Sequence, residues 1–271
     1  MKQPRQKPKR ETLHIFDRVI KYLLGGASSP NVVCLVNALF ERRYPHDSLV
    51  RFGQTESVRK QGKSLELLRS DVILNIAGDD FAVEFQTHGD EVIGLRLFEY
   101  GFRHGLETKR MTNGGELIEV EVPDACVVVF ENANADPRRV TFRLSNKTSG
   151  QTFDYDVRVF RMAEQSPESL ERQRLLLLLP FCLLRFRREL VKGATAEERC
   201  AIAGREMRMI DELEDILTRS RKAGFLGTDD GIIILESMAQ MHEELYGAYP
   251  EFQEASMELD NRLKLRWVPY K

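Results

Sequence analysis

Three residues in a short stretch of this chain have types and spacing suited to phosphodiester chemistry: Asp71, Glu84 and Gln86, in "SDVILNIAGDDFAVEFQTHG". Metal-dependent cleavage of a phosphodiester needs carboxylates that converge on one point. Mg²⁺ takes oxygen ligands in near-octahedral geometry, positions water and neutralises developing charge. The stretch reads as two strands around the turn cluster Gly78, Asp79 and Asp80. If the loop has two or four residues, Asp71, Ile73 and Asn75 share a face with Ala82, Glu84 and Gln86. A three-residue loop places Glu84 on the opposite face, so the geometry depends on the turn. "DVILNI" and "FAVEF" are otherwise core-like, and an ionised Glu84 within such a strand is costly unless paired or metal-bound. The competing reading puts Glu84 on the solvent face of an edge strand and makes Asp71 a strand-entry residue.

The elements that must position these residues follow from periodicity. "LHIFDRVIKYLLGG" carries apolar residues at helical spacing and stops at Gly25 and Gly26. "SSPNVVCLVNALFERRYP" restarts with Ser29 as cap and Pro30 in the first turn, and halts before Pro45. Residues 46 to 69 are polar and weakly patterned, either a solvated loop, the favoured reading, or a phosphate-facing edge. Ile93, Leu97, Tyr100 and Leu106 mark a helix, and "ACVVVF" suits a strand buried on both faces. "RRVTFRL" and "FDYDVRVF" alternate across "SNKTSGQ" as a second hairpin, which completes an α/β region. Everything later reads as helical, including "LLLLLPFCLL" as a buried helix.

Composition sets the outer limits. The chain has 271 residues, with 40 Lys plus Arg against 42 Asp plus Glu, so any hold on nucleic acid must come from a local basic face. The apolar run at 175 to 184 is about half of the roughly 20 residues a membrane span requires. "MKQPRQKPKR" lacks an apolar segment, so a cytoplasmic protein without a membrane partner is expected, with a flexible basic tail that adds affinity for DNA without specificity. Cys34, Cys126, Cys182 and Cys200 form no C-x-x-C pair and read as buried free thiols. The five histidines show no zinc-binding spacing, and only His88 lies close to the acidic motif. A rival acidic pair, Asp124 and Glu131, is rejected because Ala133 stands two after Glu131 and no hairpin returns the two acids to one point.

"SDVILNIAGDDFAVEFQTH" resembles the D…E-x-Q form of the PD-(D/E)XK nuclease core, and more specifically the recombination-promoting nuclease and putative transposase family. "FDRVIKYLLG" resembles that family's opening D-x-x-x-K helix, and "RLFEY", "PDACVVVF" and "LLPFCLLRFRREL" extend the likeness over roughly residues 13 to 190. The resemblance implies an α/β fold with a restriction-endonuclease-like mixed sheet flanked by helices, followed by an α-helical extension. The expected organisation is a flexible tail at 1–11, a nuclease-like core at 12–165 and a helical region at 166–271.

It also implies a Mg²⁺- or Mn²⁺-dependent DNA endonuclease in which Asp71 and Glu84 are metal ligands and Gln86 occupies the superfamily's lysine position. Asp17, four residues before Lys21, would complete the metal site. Asp17 and Lys21 read equally well as an ordinary i, i+4 pair. Lys21, Arg96 and Tyr100 are the candidate DNA contacts, although Tyr100 also fits the core. DNA is the expected partner, with a homodimer as the candidate assembly. Two departures stand out: Ser70 replaces the family's proline, and Gln86, which can only hydrogen-bond, replaces a charged lysine. The alternative is a non-catalytic interaction protein that keeps the nuclease fold and binds partners through its C-terminal helices.

Overall fold

A computed structural model describes residues 9–53, 56–61, 64–69, 72–87, 92–131, 138–191 and 194–267. The chain divides into two compact units, one of Leu39–Arg161 and one of Met1–Ala38 with Met162–Lys271. The helices expected to open the nuclease-like core therefore group with the C-terminal helices.

Strand β1 (Val50–Phe52) opens the sheet unit, followed by β2 (Glu56–Gln61), β3 (Ser64–Arg69), β4 (Val72–Ile76) and β5 (Asp79–Gln86). Helix α3 (Ile93–Glu107) then leads through β6 (Arg110–Thr112) and β7 (Leu117–Glu119) to β8 (Asp124–Val129), β9 (Arg139–Ser145) and β10 (Thr152–Arg161). Six strands form one mixed sheet in the order β1-β4-β5-β8-β10-β9. β4 and β5 are antiparallel, whereas β5, β8 and β10 run parallel, so α3 lies in the crossover from β5 to β8. The structure is thus α/β with a mixed sheet and helices.

The expected hairpin is present over Val72–Gln86, with a two-residue loop, one of the lengths the sequence allows. Val72 pairs with Val83 and Ile76 with Asp79, which leaves only Ala77 and Gly78 in the loop. Both have positive φ, 55° and 98°, as the twist of a two-residue hairpin demands. Asp79 and Asp80 therefore belong to the strand and not to the turn.

Residues 46 to 69 depart from the favoured solvated loop: β2 and β3 pair antiparallel as a separate two-stranded ribbon. A ribbon closes its backbone hydrogen bonds through its own ladder, so hydrophobic periodicity, which reports burial, gives little warning of it. The apolar run in β8 is buried from Ala125 to Val129, as a strand covered on both faces requires. The second hairpin, β9 with β10, matches its expected position.

The other unit contains α1 (Lys9–Gly26), most of α2 (Ser29–Phe40), α4 (Pro167–Arg172), α5 (Arg187–Val191), α6 (Ala196–Lys222), α7 (Thr228–Tyr246) and α8 (Gln253–Arg266). α1 begins at Lys9, so the last residues of the expected tail are helical. The run Leu176–Phe186 is buried as expected but winds as a 3₁₀ helix around Pro180, which lacks the N–H an α-helix needs there. A capping box between Thr195 and Glu198 starts α6. Asp230 on α7 accepts from the Ser28 backbone N–H at 2.7 Å and from Asn31 Nδ2 at 2.8 Å, which fixes the corner between α1 and α2. Among the described residues, no single helix is long and apolar enough to cross a membrane.

Candidate functional site

The two-residue turn decides which face Glu84 takes. The register puts Ala82 opposite Ile73 and Asp80 opposite Asn75, so Glu84 and Gln86 continue the face of Ile73 and Asn75. In the parallel ladder, Glu84 lies beside Val127 and Gln86 beside Val129. That face is the one α3 covers, because Ile93 and Leu97 join Ala82, Ala125, Val127, Val129, Tyr155 and Val157 in a single core cluster. Glu84 is consequently 5% exposed, a carboxylate set in the apolar layer between helix and sheet. The edge-strand alternative is excluded, since β5 is flanked by β4 and β8.

Burial of this charge is compensated by Arg96 on the first turns of α3, whose Nη2 donates to Glu84 Oε1 at 2.8 Å. The Arg96 side chain is 40% exposed, so one end of the pair reaches solvent while the carboxylate does not. Tyr100, one turn further along α3, is half-buried on the same face of the helix as Arg96. Burial pushes its hydroxyl pKa up, and Arg96 offsets part of that rise. Gln86 Oε1 is buried and has no hydrogen-bond partner, an oxygen acceptor held in reserve two positions from Glu84.

Four of the expected site residues, Glu84, Gln86, Arg96 and Tyr100, therefore lie on facing surfaces of β5 and α3. Asp71 lies outside the described residues, as does His88. Asp17 falls on α1, but its side chain lies outside the described residues; Lys21, on the same helix, is exposed. The rejected acids behave as ordinary strand-end residues: Asp124 begins β8 and pairs with Arg42, and Glu131 is buried just beyond the end of that strand.

A second polar contact between the same two elements was not anticipated. His104 Nε2 lies 3.1 Å from Asp80 Oδ2, and Asn75 Nδ2 donates to Asp80 Oδ1 at 2.7 Å. The eight residues from Arg96 to His104 rise about 12 Å along a helix, and the four from Asp80 to Glu84 span about 13 Å along a strand. The matched lengths let both contacts form at once, with the helix antiparallel to the strand. Arg96, Tyr100 and His104 stand at i, i+4 and i+8, so the three share one face of α3.

The donor set partly suits a hard cation. Glu84 offers a carboxylate and Gln86 an unused amide oxygen on the same face, both of the oxygen type that Mg²⁺ and Mn²⁺ favour. Among the described residues, no group of three His, Cys, Asp or Glu side chains is arranged to hold a metal ion.

Comparison with protein-family models, with curated proteins and with solved structures finds no match.

Proposed function

We propose that the chain is a metal-dependent DNA endonuclease of the recombination-promoting nuclease type, with a restriction-endonuclease-like sheet unit. The observation that supports this most directly is the placement of Glu84 and Gln86 on one buried strand face, opposite Arg96 and Tyr100. Buried carboxylates in an apolar layer are expensive to keep, and a catalytic role explains why one stands mid-strand.

In this reading Glu84 and Asp71 would hold Mg²⁺ or Mn²⁺, which would supply Lewis-acid charge and lower the pKa of water. Gln86 orients the attacking water by a hydrogen bond and leaves deprotonation to other groups. Arg96 exchanges its contact with Glu84 for one with the scissile phosphate, where a guanidinium suits the planar array of oxygens. Tyr100 hydrogen-bonds the same phosphate, and Lys21 contributes to DNA affinity through the backbone charge.

A second reading is favoured by one observation, the ion pair in which Arg96 neutralises Glu84. In it, the chain keeps the nuclease fold, binds a partner through its C-terminal helices and cleaves nothing. A supercoiled-plasmid nicking assay with Mg²⁺, Mn²⁺ or chelator separates the two. The endonuclease reading expects metal-dependent nicking that is lost in Glu84→Gln and in Asp71→Asn, with both variants folded. Absence of nicking in every metal, together with a melting temperature insensitive to metal, supports the interaction protein.

A further inference from the structure

The helical unit contains a polar relay that its packing does not require. Glu206 on α6 and His242 on α7 are 0% and 1% exposed, whereas Ser256, in the first turns of α8, reaches the surface in part. His242 Nδ1 lies 2.8 Å from Glu206 Oε1, and His242 Nε2 lies 2.9 Å from Ser256 Oγ. The rings of Tyr246 and Phe252 flank the imidazole, with centroids at 5.7 and 6.4 Å. A carboxylate in such surroundings directs its charge at the imidazole it contacts.

Two features argue that stability alone does not explain the arrangement. Apolar side chains of similar volume could join the three helices without the desolvation cost of a buried acid. In addition, Glu206 Oε2 is buried with no hydrogen-bond partner, so the network leaves one of its own atoms unsatisfied. Burial raises the Glu206 pKa, and the neighbouring His242 offsets part of that rise. With Glu206 ionised, its carboxylate accepts a hydrogen bond from Nδ1–H of His242, which leaves the Nε2 lone pair facing the Ser256 hydroxyl.

We propose that Ser256, His242 and Glu206 form a second reaction centre that hydrolyses small activated carboxylic esters, with Ser256 as nucleophile, His242 as its general base and Glu206 as the residue that positions His242. The spacing of nucleophile, base and orienting acid is that of a general-base relay. In the first step Ser256 Oγ bonds to the ester carbonyl carbon and its proton passes to His242 Nε2. The ester C–O bond then breaks, and the departing alkoxide takes that proton as an alcohol. Water attacks the acyl-serine by the same route, which releases the carboxylic acid and restores the serine. This centre is independent of the nuclease reading.

The test uses the full chain and a fluorophosphonate probe, which forms a phosphorus–oxygen bond to an activated serine and expels fluoride. One adduct mapping to Ser256 is expected, lost in Ser256→Ala. Glu206→Gln should slow labelling by roughly 100-fold with the helical circular dichroism retained, because an amide favours the wrong imidazole tautomer. A structural role for Glu206 would instead lower the melting temperature and leave the labelling rate of folded protein unchanged.

Ser256→Cys supplies a second route that does not disturb the buried pair. The new thiol should react with iodoacetamide at neutral pH at least about tenfold faster than Cys200, which is exposed in the same molecule. Absence of a Ser256 adduct in folded protein, an adduct indifferent to Glu206→Gln, or a thiol no faster than Cys200 each overturns the proposal.

Discussion

Glu84 and Arg96, twelve positions apart, meet at 2.8 Å across the interface of β5 and α3, with the acid buried and the base reaching solvent. The pair joins a strand to the helix that follows it in the parallel crossover. It thereby holds the candidate site together and neutralises the carboxylate on which that site depends.

Removal of the arginine alone should expose this dependence. Arg96→Ala leaves the buried Glu84 without its cation and is expected to cost about 1–3 kcal/mol, read from urea denaturation. The double variant Arg96→Ala with Glu84→Gln should recover part of that loss. An Arg96→Ala chain as stable as wild type would show that solvent already satisfies the carboxylate.

Gln86 separates a catalytic from a packing role. As a water-positioning group, Gln86→Ala lowers nicking turnover with little change in metal affinity, since no ligand is removed. Gln86→Lys is then tolerated or faster, because it restores the residue of the resembled superfamily on the same strand face. If the side chain only packs, both variants nick at the wild-type rate and melt lower, with lysine the worse for the buried charge.

The cysteines should divide by exposure. Burial pushes the thiols of Cys126 and Cys182 up to about 12 and raises that of Cys34, whereas Cys200 is exposed. At pH 8 a thiol at that value is thiolate in about one molecule in ten thousand, so it reacts slowly with disulfide reagents. Native protein is expected to show one fast thiol with Ellman's reagent and four after denaturation. Three or four fast thiols in the native chain would contradict the burial.

Gly231 on α7 is a steric requirement. A Cβ there would lie 1.9 Å from Trp267 Cζ3, inside the ring that closes this face of the helical unit. Gly231→Ala should destabilise the chain by about 1–3 kcal/mol through overpacking. Trp267, the sole tryptophan, is buried, so a shift of its emission to longer wavelength reports its displacement.

Element types were legible in the amino-acid pattern wherever burial imposes a period. The opening helices, the β4–β5 and β9–β10 hairpins, the strand β8 and the late helices all carry apolar residues at spacings that a core selects. The ribbon of Glu56–Gln61 with Ser64–Arg69 escaped because its two strands close their hydrogen bonds on each other, and the loop length at Gly78 stayed open because turn-forming residues continue into Asp79 and Asp80. Sequence also named Glu84, Gln86, Arg96 and Tyr100 but left open whether Glu84 faced the core.

The strand register answers that question. A loop of two residues in place of three turns every side chain of β5 to the other face. The same holds for contacts between distant segments. Nothing local to His104, or to Glu206, His242 and Ser256, marks them as partners; the contacts arise from how α3 lies on β5 and how α6, α7 and α8 pack. Periodicity records which face of an element is buried, and the identity of what it is buried against is a property of the packed chain.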